Sequence, residues 1–298
     1  MILKKGSYGK LVKILQEYLG IEADGHFGPA TKDEVMLWQE KHNLKPDGIV
    51  GPMTWDKMGL CTTDIEEASN SFDKKTYETL NGLHVHVHML PKDEYMKDSK
   101  PEWVFLHHTA GWHNPFRTVD HWANDDRGKV ATEFVLGGPS IKGNDDKYDG
   151  VLVQCTPQGG WGWHLGTGRS NMHQHSVGIE VNNFGWIKNG RTYAGTIAAE
   201  SQIVTLDKPF RGHTTWHRYS NRQIEVLKDW LYFIGERDSI DIREGLPKLV
   251  KSIGADAFEY IPDVRAGKLK GVWTHTNVRQ DKVDMFPQQE LMDMLVSL

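Results

Sequence analysis

The sequence predicts two domains of different class: a small all-α three-helix module over residues 1–60, and a larger α/β domain, with a central mixed β-sheet flanked by helices, over residues 81–298. Three observations carry this prediction. The N-terminal segment holds an internal repeat with turn and helix-start chemistry. The rest of the chain alternates short apolar runs with helical stripes, the pattern of a sheet covered by helices. Between them lies a polar stretch, 61–80, that reads as a linker.

In the first domain, Asp24-Gly25-His26-Phe27-Gly28-Pro29-Ala30-Thr31 recurs as Asp47-Gly48-Ile49-Val50-Gly51-Pro52-Met53-Thr54, at an offset of 23. Asp-Gly supplies a tight turn. Gly-Pro brings the chain to a helix start, where the missing proline N–H costs nothing. Leu11, Leu15, Tyr18 and Leu19 form an apolar stripe before the first copy, and Val35 and Trp38 share a face between the copies.

In the second domain, Trp103-Val104-Phe105-Leu106-His107 is nearly continuous in apolar character, as a central strand is. Asn114-Pro115 is a helix start, followed by Phe116, Val119 and Ala123 at helical spacing. Val177 to Val181 reads as another strand. Ser220 caps a helix with Ile224, Leu227, Leu231 and Ile234 on one face. Leu246, Leu249, Val250 and Ile253 stripe a helix that stops at Gly254, and Leu291, Met294, Leu295 and Leu298 mark the last one.

The totals exclude several classes. A formal charge of −5 weighs against nucleic acid as a partner, and no apolar run is long enough to span a membrane. Cys61 and Cys155 are too few for a disulfide framework, and Cys155 closes an apolar run as a buried thiol would. The N-terminus lacks the apolar core and cleavage site of a signal peptide, so the chain is expected to be made in a cytoplasm without one. The 15 histidines and 11 tryptophans suit metal or acid–base work and stacking on sugars, although both also fill ordinary cores.

Two segments carry the chemistry. In Trp103–Gly111, strand alternation sends His107 to the face of Trp103 and Phe105, and His108 to the other. A histidine ending a buried strand can ligate a metal or simply be a satisfied structural residue. In Trp273–Pro287, His275 is followed nine positions on by Asp284, with Lys282 two before it. A catalytic zinc wants three N, O or S ligands and one open position, which His107, His275 and Asp284 would provide. A lysine beside the metal could stabilise the oxyanion of an attacked amide. His84, His86 and His88 share one strand face and read as a partly solvated strand.

Over residues 3–60 the doubled motif closely resembles the peptidoglycan-binding domain of many wall hydrolases. Over residues 84–298 the pattern resembles the type-2 N-acetylmuramoyl-L-alanine amidases, which share a fold with phage lysozyme-type amidases and animal peptidoglycan recognition proteins. The match is patchy between 186 and 270. The resemblance implies one Zn²⁺ per chain on His107, His275 and Asp284, with Lys282 as oxyanion stabiliser. It implies that Glu180, in Ser176-Val177-Gly178-Ile179-Glu180-Val181, is the general base; an exposed strand glutamate is the alternative. It implies a substrate contact at His164 in Trp161-Gly162-Trp163-His164-Leu165-Gly166, with Trp163 and Thr109 beside it. Tyr148-Asp149-Gly150 through Gln154 resembles the family's DGxxxQ hairpin.

The chain departs from the family at Glu133, where a tyrosine, histidine or asparagine is usual, and at Met285-Phe286, where Pro-Gly is usual. Arg211, Trp216 and Tyr219 would either line an extended cleft or pack ordinarily. The resemblance thus implies a monomeric, modular phage endolysin that binds peptidoglycan, inserts into no membrane and acts on the wall after release. A bacterial autolysin of the same chemistry and a non-catalytic recognition protein are the alternatives.

Overall fold

The structure, a computed structural model, describes residues 3–7, 10–59, 76–79, 81–166, 168 and 170–298. The chain divides into two compact units, Met1–Lys74 and Lys75–Leu298. Most of the expected linker, and Cys61 with it, lies outside the described residues.

In the first unit the described helices are Lys10–Leu19, Pro29–Lys41 and Pro52–Lys57. Leu3, Val12, Leu15, Phe27, Val35, Val50, Trp55 and Met58 form the core. Each repeat is pinned by a glutamine that the motif itself does not contain. Gln16 Oε1 accepts the Gly25 N–H at 2.8 Å, and its Nε2 donates to Asp24 at 2.7 Å. Gln39, also 23 positions on, accepts from Gly48 at 3.0 Å and donates to Asp47 at 3.2 Å. Both glycines hold the left-handed φ, 81° and 70°, that the turn demands. Tyr18, expected inward, is 43% exposed and meets Trp38 edge-on.

The second unit is built on a seven-stranded mixed sheet. Its strands are β1 (Thr76–Glu78), β2 (His84–Val87), β3 (Trp103–His108), β4 (Phe134–Leu136), β5 (Leu152–Gln154), β6 (Ser176–Val181) and, after two hairpins, β11 (Gly271–Thr274). Their order is β1-β2-β5-β4-β6-β3-β11. β1 pairs antiparallel with β2, and β5 with β4, while the other neighbours run parallel. β3 is buried along its whole length, as its unbroken apolar run requires.

The helix Asn221–Asp238 covers one face, burying Ile224, Leu227, Trp230, Leu231 and Ile234; Trp230 meets Phe134 at 5.7 Å. A capping box at Ser220 and Gln223 starts it. Pro115–Trp122, capped by Asn114 as expected, packs Val119 and Trp122 with Val135 and Val153.

The expected linker ran to residue 80, but Thr76–Glu78 is an edge strand. One side of an edge strand is free, so polar residues are tolerated there, and the Tyr77 hydroxyl donates to Gln154 at 2.9 Å. The segment 186–270 holds two antiparallel hairpins, β7 (Ile187–Lys188) with β8 (Arg191–Thr192) and β9 (Ile203–Phe210) with β10 (His213–His217). Trp216 and Tyr219 do not line a cleft. They are fully buried and stack on Phe286 at 4.5 and 4.6 Å. This packing also accounts for Met285-Phe286 in place of the family's Pro-Gly, since both side chains are core.

Candidate metal centre

Strand pairing sets the first half of the site. His107 of β3 lies in register with Glu180 of β6, so both side chains leave the same face of the sheet. His108 faces the other way and bonds the Tyr219 hydroxyl through Nδ1 at 2.7 Å. The second half follows β11. Asn277 Oδ1 accepts the Thr274 N–H at 2.9 Å, while its Nδ2 donates to the carbonyls of Ala257 and Glu259. This fixes the short helix His275–Val278, and the Leu165 carbonyl holds the ring of His275. Thr276 N–H donates to the Asp284 carbonyl at 3.2 Å and brings the carboxylate back.

Three donor atoms converge. His107 Nδ1 lies 3.2 Å from His275 Nδ1 and 3.3 Å from Asp284 Oδ2, and His275 Nδ1 lies 3.1 Å from that oxygen. Ligand atoms about 2.0–2.1 Å from a tetrahedral zinc stand about 3.3–3.4 Å apart. The triangle is within a few tenths of an ångström of that spacing. Among the described residues, this is the one group of three such side chains placed to hold an ion. His84, His86 and His88 form no such group, and His88 pairs instead with Asp120 at 2.8 Å.

The protonation states suit a cation. His275 Nε2 sits 3.0 Å from the Leu165 carbonyl, which can only accept, so its proton is there and Nδ1 is bare. Burial pushes His107 down to about 4, against the pull of Asp284. Burial alone would raise Asp284, but His275 and His107 outweigh it and hold the carboxyl well below its usual range. A neutral imidazole and an ionised carboxylate are the forms that ligate. The residues therefore fit a divalent metal.

Beside the triangle, burial and the Asp284 charge push Glu180 well above the usual carboxylate range, with Lys282 opposing. The expected substrate contacts fare differently. Trp163 is 39% exposed and is braced edge-on by Trp161 and His173. His164 uses both ring nitrogens internally, Nδ1 at 3.0 Å from His107 Nε2 and Nε2 at 2.9 Å from Ser176 Oγ. The Thr109 hydroxyl donates to the Gly111 carbonyl and accepts the Asn183 N–H at 3.2 Å, so it braces the loop after β3. Glu133 points into a buried pair with Arg237, at 2.6 and 2.9 Å.

Arg211, a candidate cleft residue by sequence, and Arg279, which no motif singled out, both fasten the loop that carries Asp284. Arg211 donates to the carbonyls of Gln280 at 2.6 Å and Thr276 at 3.2 Å, and Arg279 donates to Gly166.

Residues 8–58 match the family model described as a putative peptidoglycan binding domain. A protein of Kitasatospora aureofaciens, described as uncharacterized, is 44% identical over 64 residues, 19% of this chain and 54% of that protein. The zinc D-Ala-D-Ala carboxypeptidase of Streptomyces albus G is 44% identical over 64 residues, 19% of this chain and 25% of the enzyme. The chain thus spans about half the length of the first relative and a quarter of the second. Among solved structures, the catalytic domain of XlyA is 14% identical, with 72% of this chain and 95% of that one covered and a TM-score of 0.40.

Proposed function

We propose that the chain is a zinc-dependent N-acetylmuramoyl-L-alanine amidase, a monomeric phage endolysin that the N-terminal module holds on peptidoglycan and that acts on the wall after release. The convergence of His107, His275 and Asp284 beside Glu180 carries this reading. The match of residues 8–58 supports the choice of polymer. A full ligand set argues for an enzyme over a recognition protein.

Zinc, when bound, lowers the pKa of water and polarises a carbonyl. Glu180 takes the proton of the attacking water and delivers it to the leaving alanine nitrogen. Lys282 sets a positive charge where the carbonyl oxygen becomes negative. Lys282→Ala is expected to retain metal and lose roughly 10²–10³ in rate, as other oxyanion donors do. Metal content and wall turbidity, measured on one preparation, check this.

The bond cut is read from the products. Digested walls should gain N-terminal L-alanine in step with turbidity loss. New reducing ends or a new C-terminal D-alanine would overturn the amidase reading. Deleting residues 1–60 is expected to weaken sedimentation with walls while leaving cleavage of soluble muropeptides nearly intact, because the module raises local concentration only. Equal loss on both substrates would mean that the module belongs to the catalytic fold.

A further inference from the structure

β6 presents Ser176, Gly178 and Glu180 to one face, since alternate residues share a face. Glu180 stands beside the metal triangle. The other two positions meet His164. Ser176, itself 5% exposed, donates its hydroxyl proton to the His173 carbonyl at 3.2 Å, so its oxygen is left to accept. His164 Nε2 donates its N–H to that oxygen at 2.9 Å, which leaves His164 Nδ1 bare. His164 Nδ1 then accepts from His107 Nε2 at 3.0 Å, and His107 Nδ1 is bare in turn. The chain of hydrogen bonds thus has one direction, fixed at its end by a backbone carbonyl. Its result is a lone pair aimed at the point that His275 and Asp284 share.

Gly178, between Ser176 and Glu180 on that face, leaves room chiefly for Thr132. A Cβ there would lie 3.4 Å from His164 Nδ1 and 2.7 Å from Thr132 Cγ2. The His164 backbone N–H is held by His173 Nδ1 at 3.0 Å, so the ring is located from both sides.

The geometry points to His164 and Ser176 as positioning residues that orient His107 for the metal. This rests on the ligand assignment under the proposed function. Partners of this kind are worth about 10–100-fold in metal affinity.

The test is a zinc affinity measurement on the full chain, by competition with a chromophoric chelator. The melting temperature of the metal-free protein serves as the fold control. His164→Ala and Ser176→Ala are each expected to bind zinc about 10–100-fold more weakly. His164→Asn, whose side-chain oxygen can take the place of Nδ1, should recover part of the loss. The Co²⁺-loaded Ser176→Ala protein should show an altered visible spectrum, because the ring of His107 is no longer held. Wild-type affinity in both alanine variants, with the metal-free fold intact, overturns the proposal. If His275→Ala also keeps wild-type affinity, the ligand assignment itself has failed. If His275→Ala loses zinc while both alanine variants keep it, only the positioning role falls.

Discussion

Glu180→Ala is expected to keep zinc and the fold while losing roughly 10²–10⁴ in wall hydrolysis, the usual contribution of a positioned general base. His275→Ala should differ by losing zinc as well, so metal content, melting and rate on these two variants separate base from ligand. The pH dependence carries a sign. The base works ionised, and burial raises the Glu180 pKa, so the rate should rise with pH through a value above the usual carboxylate range. That acid limb should vanish from the residual activity of Glu180→Ala.

Stability runs the other way. A carboxyl whose folded pKa is raised holds its proton more tightly when folded, so its contribution falls as pH climbs from the unfolded value through the folded one. Glu180→Gln should therefore melt higher than the parent at neutral pH when metal-free. Near-full activity of a zinc-loaded Glu180→Ala would remove Glu180 from the mechanism.

The second large effect concerns stability alone. Glu133 and Arg237 join the start of β4 to the end of the helix Asn221–Asp238 through two short bonds, and their side chains are only 4% and 12% exposed. Removing one member of a buried pair costs about 3–5 kcal/mol, because the other charge stays buried without it. Asp238 also bonds Arg237, at 2.7 Å, so Glu133→Ala leaves the guanidinium one partner and belongs at the lower end. Arg237→Ala leaves two carboxylates and belongs at the upper end. Denaturant unfolding of both variants checks the order. A loss under about 1 kcal/mol in either would place the pair among exposed bridges, which are worth that little.

The legible part of the fold was the part in which one residue property sufficed. Continuous apolar character gave β3, and alternation along it told His107 from His108. The spacing of His275 and Asp284 pointed to the two side chains that join His107 in a group able to hold an ion. Residues that act through a partner were not legible. Ser176 is ordinary in a strand, and only its bond to the ring of His164 gives it meaning. Thr109 and His164 sit beside ligands in space, but their polar atoms are already used. Trp216 and Tyr219 look the same in sequence whether they line a cleft or fill a core. Tyr77 lies in a polar stretch because an edge strand needs no apolar face.

Residues 3–7 of the N-terminal unit bond both halves of the repeat. Leu3 exchanges two backbone hydrogen bonds with Val50, at 3.0 and 2.8 Å, while Gly6 and Ser7 do the same with Phe27, at 3.0 and 2.8 Å. Val50 belongs to the second copy and Phe27 to the first. The strip is thus a seam common to both, and loosening it unpairs one copy as it unpairs the other. Two halves that read as a duplication thereby share one edge, and Phe27 and Val50 meet in one core.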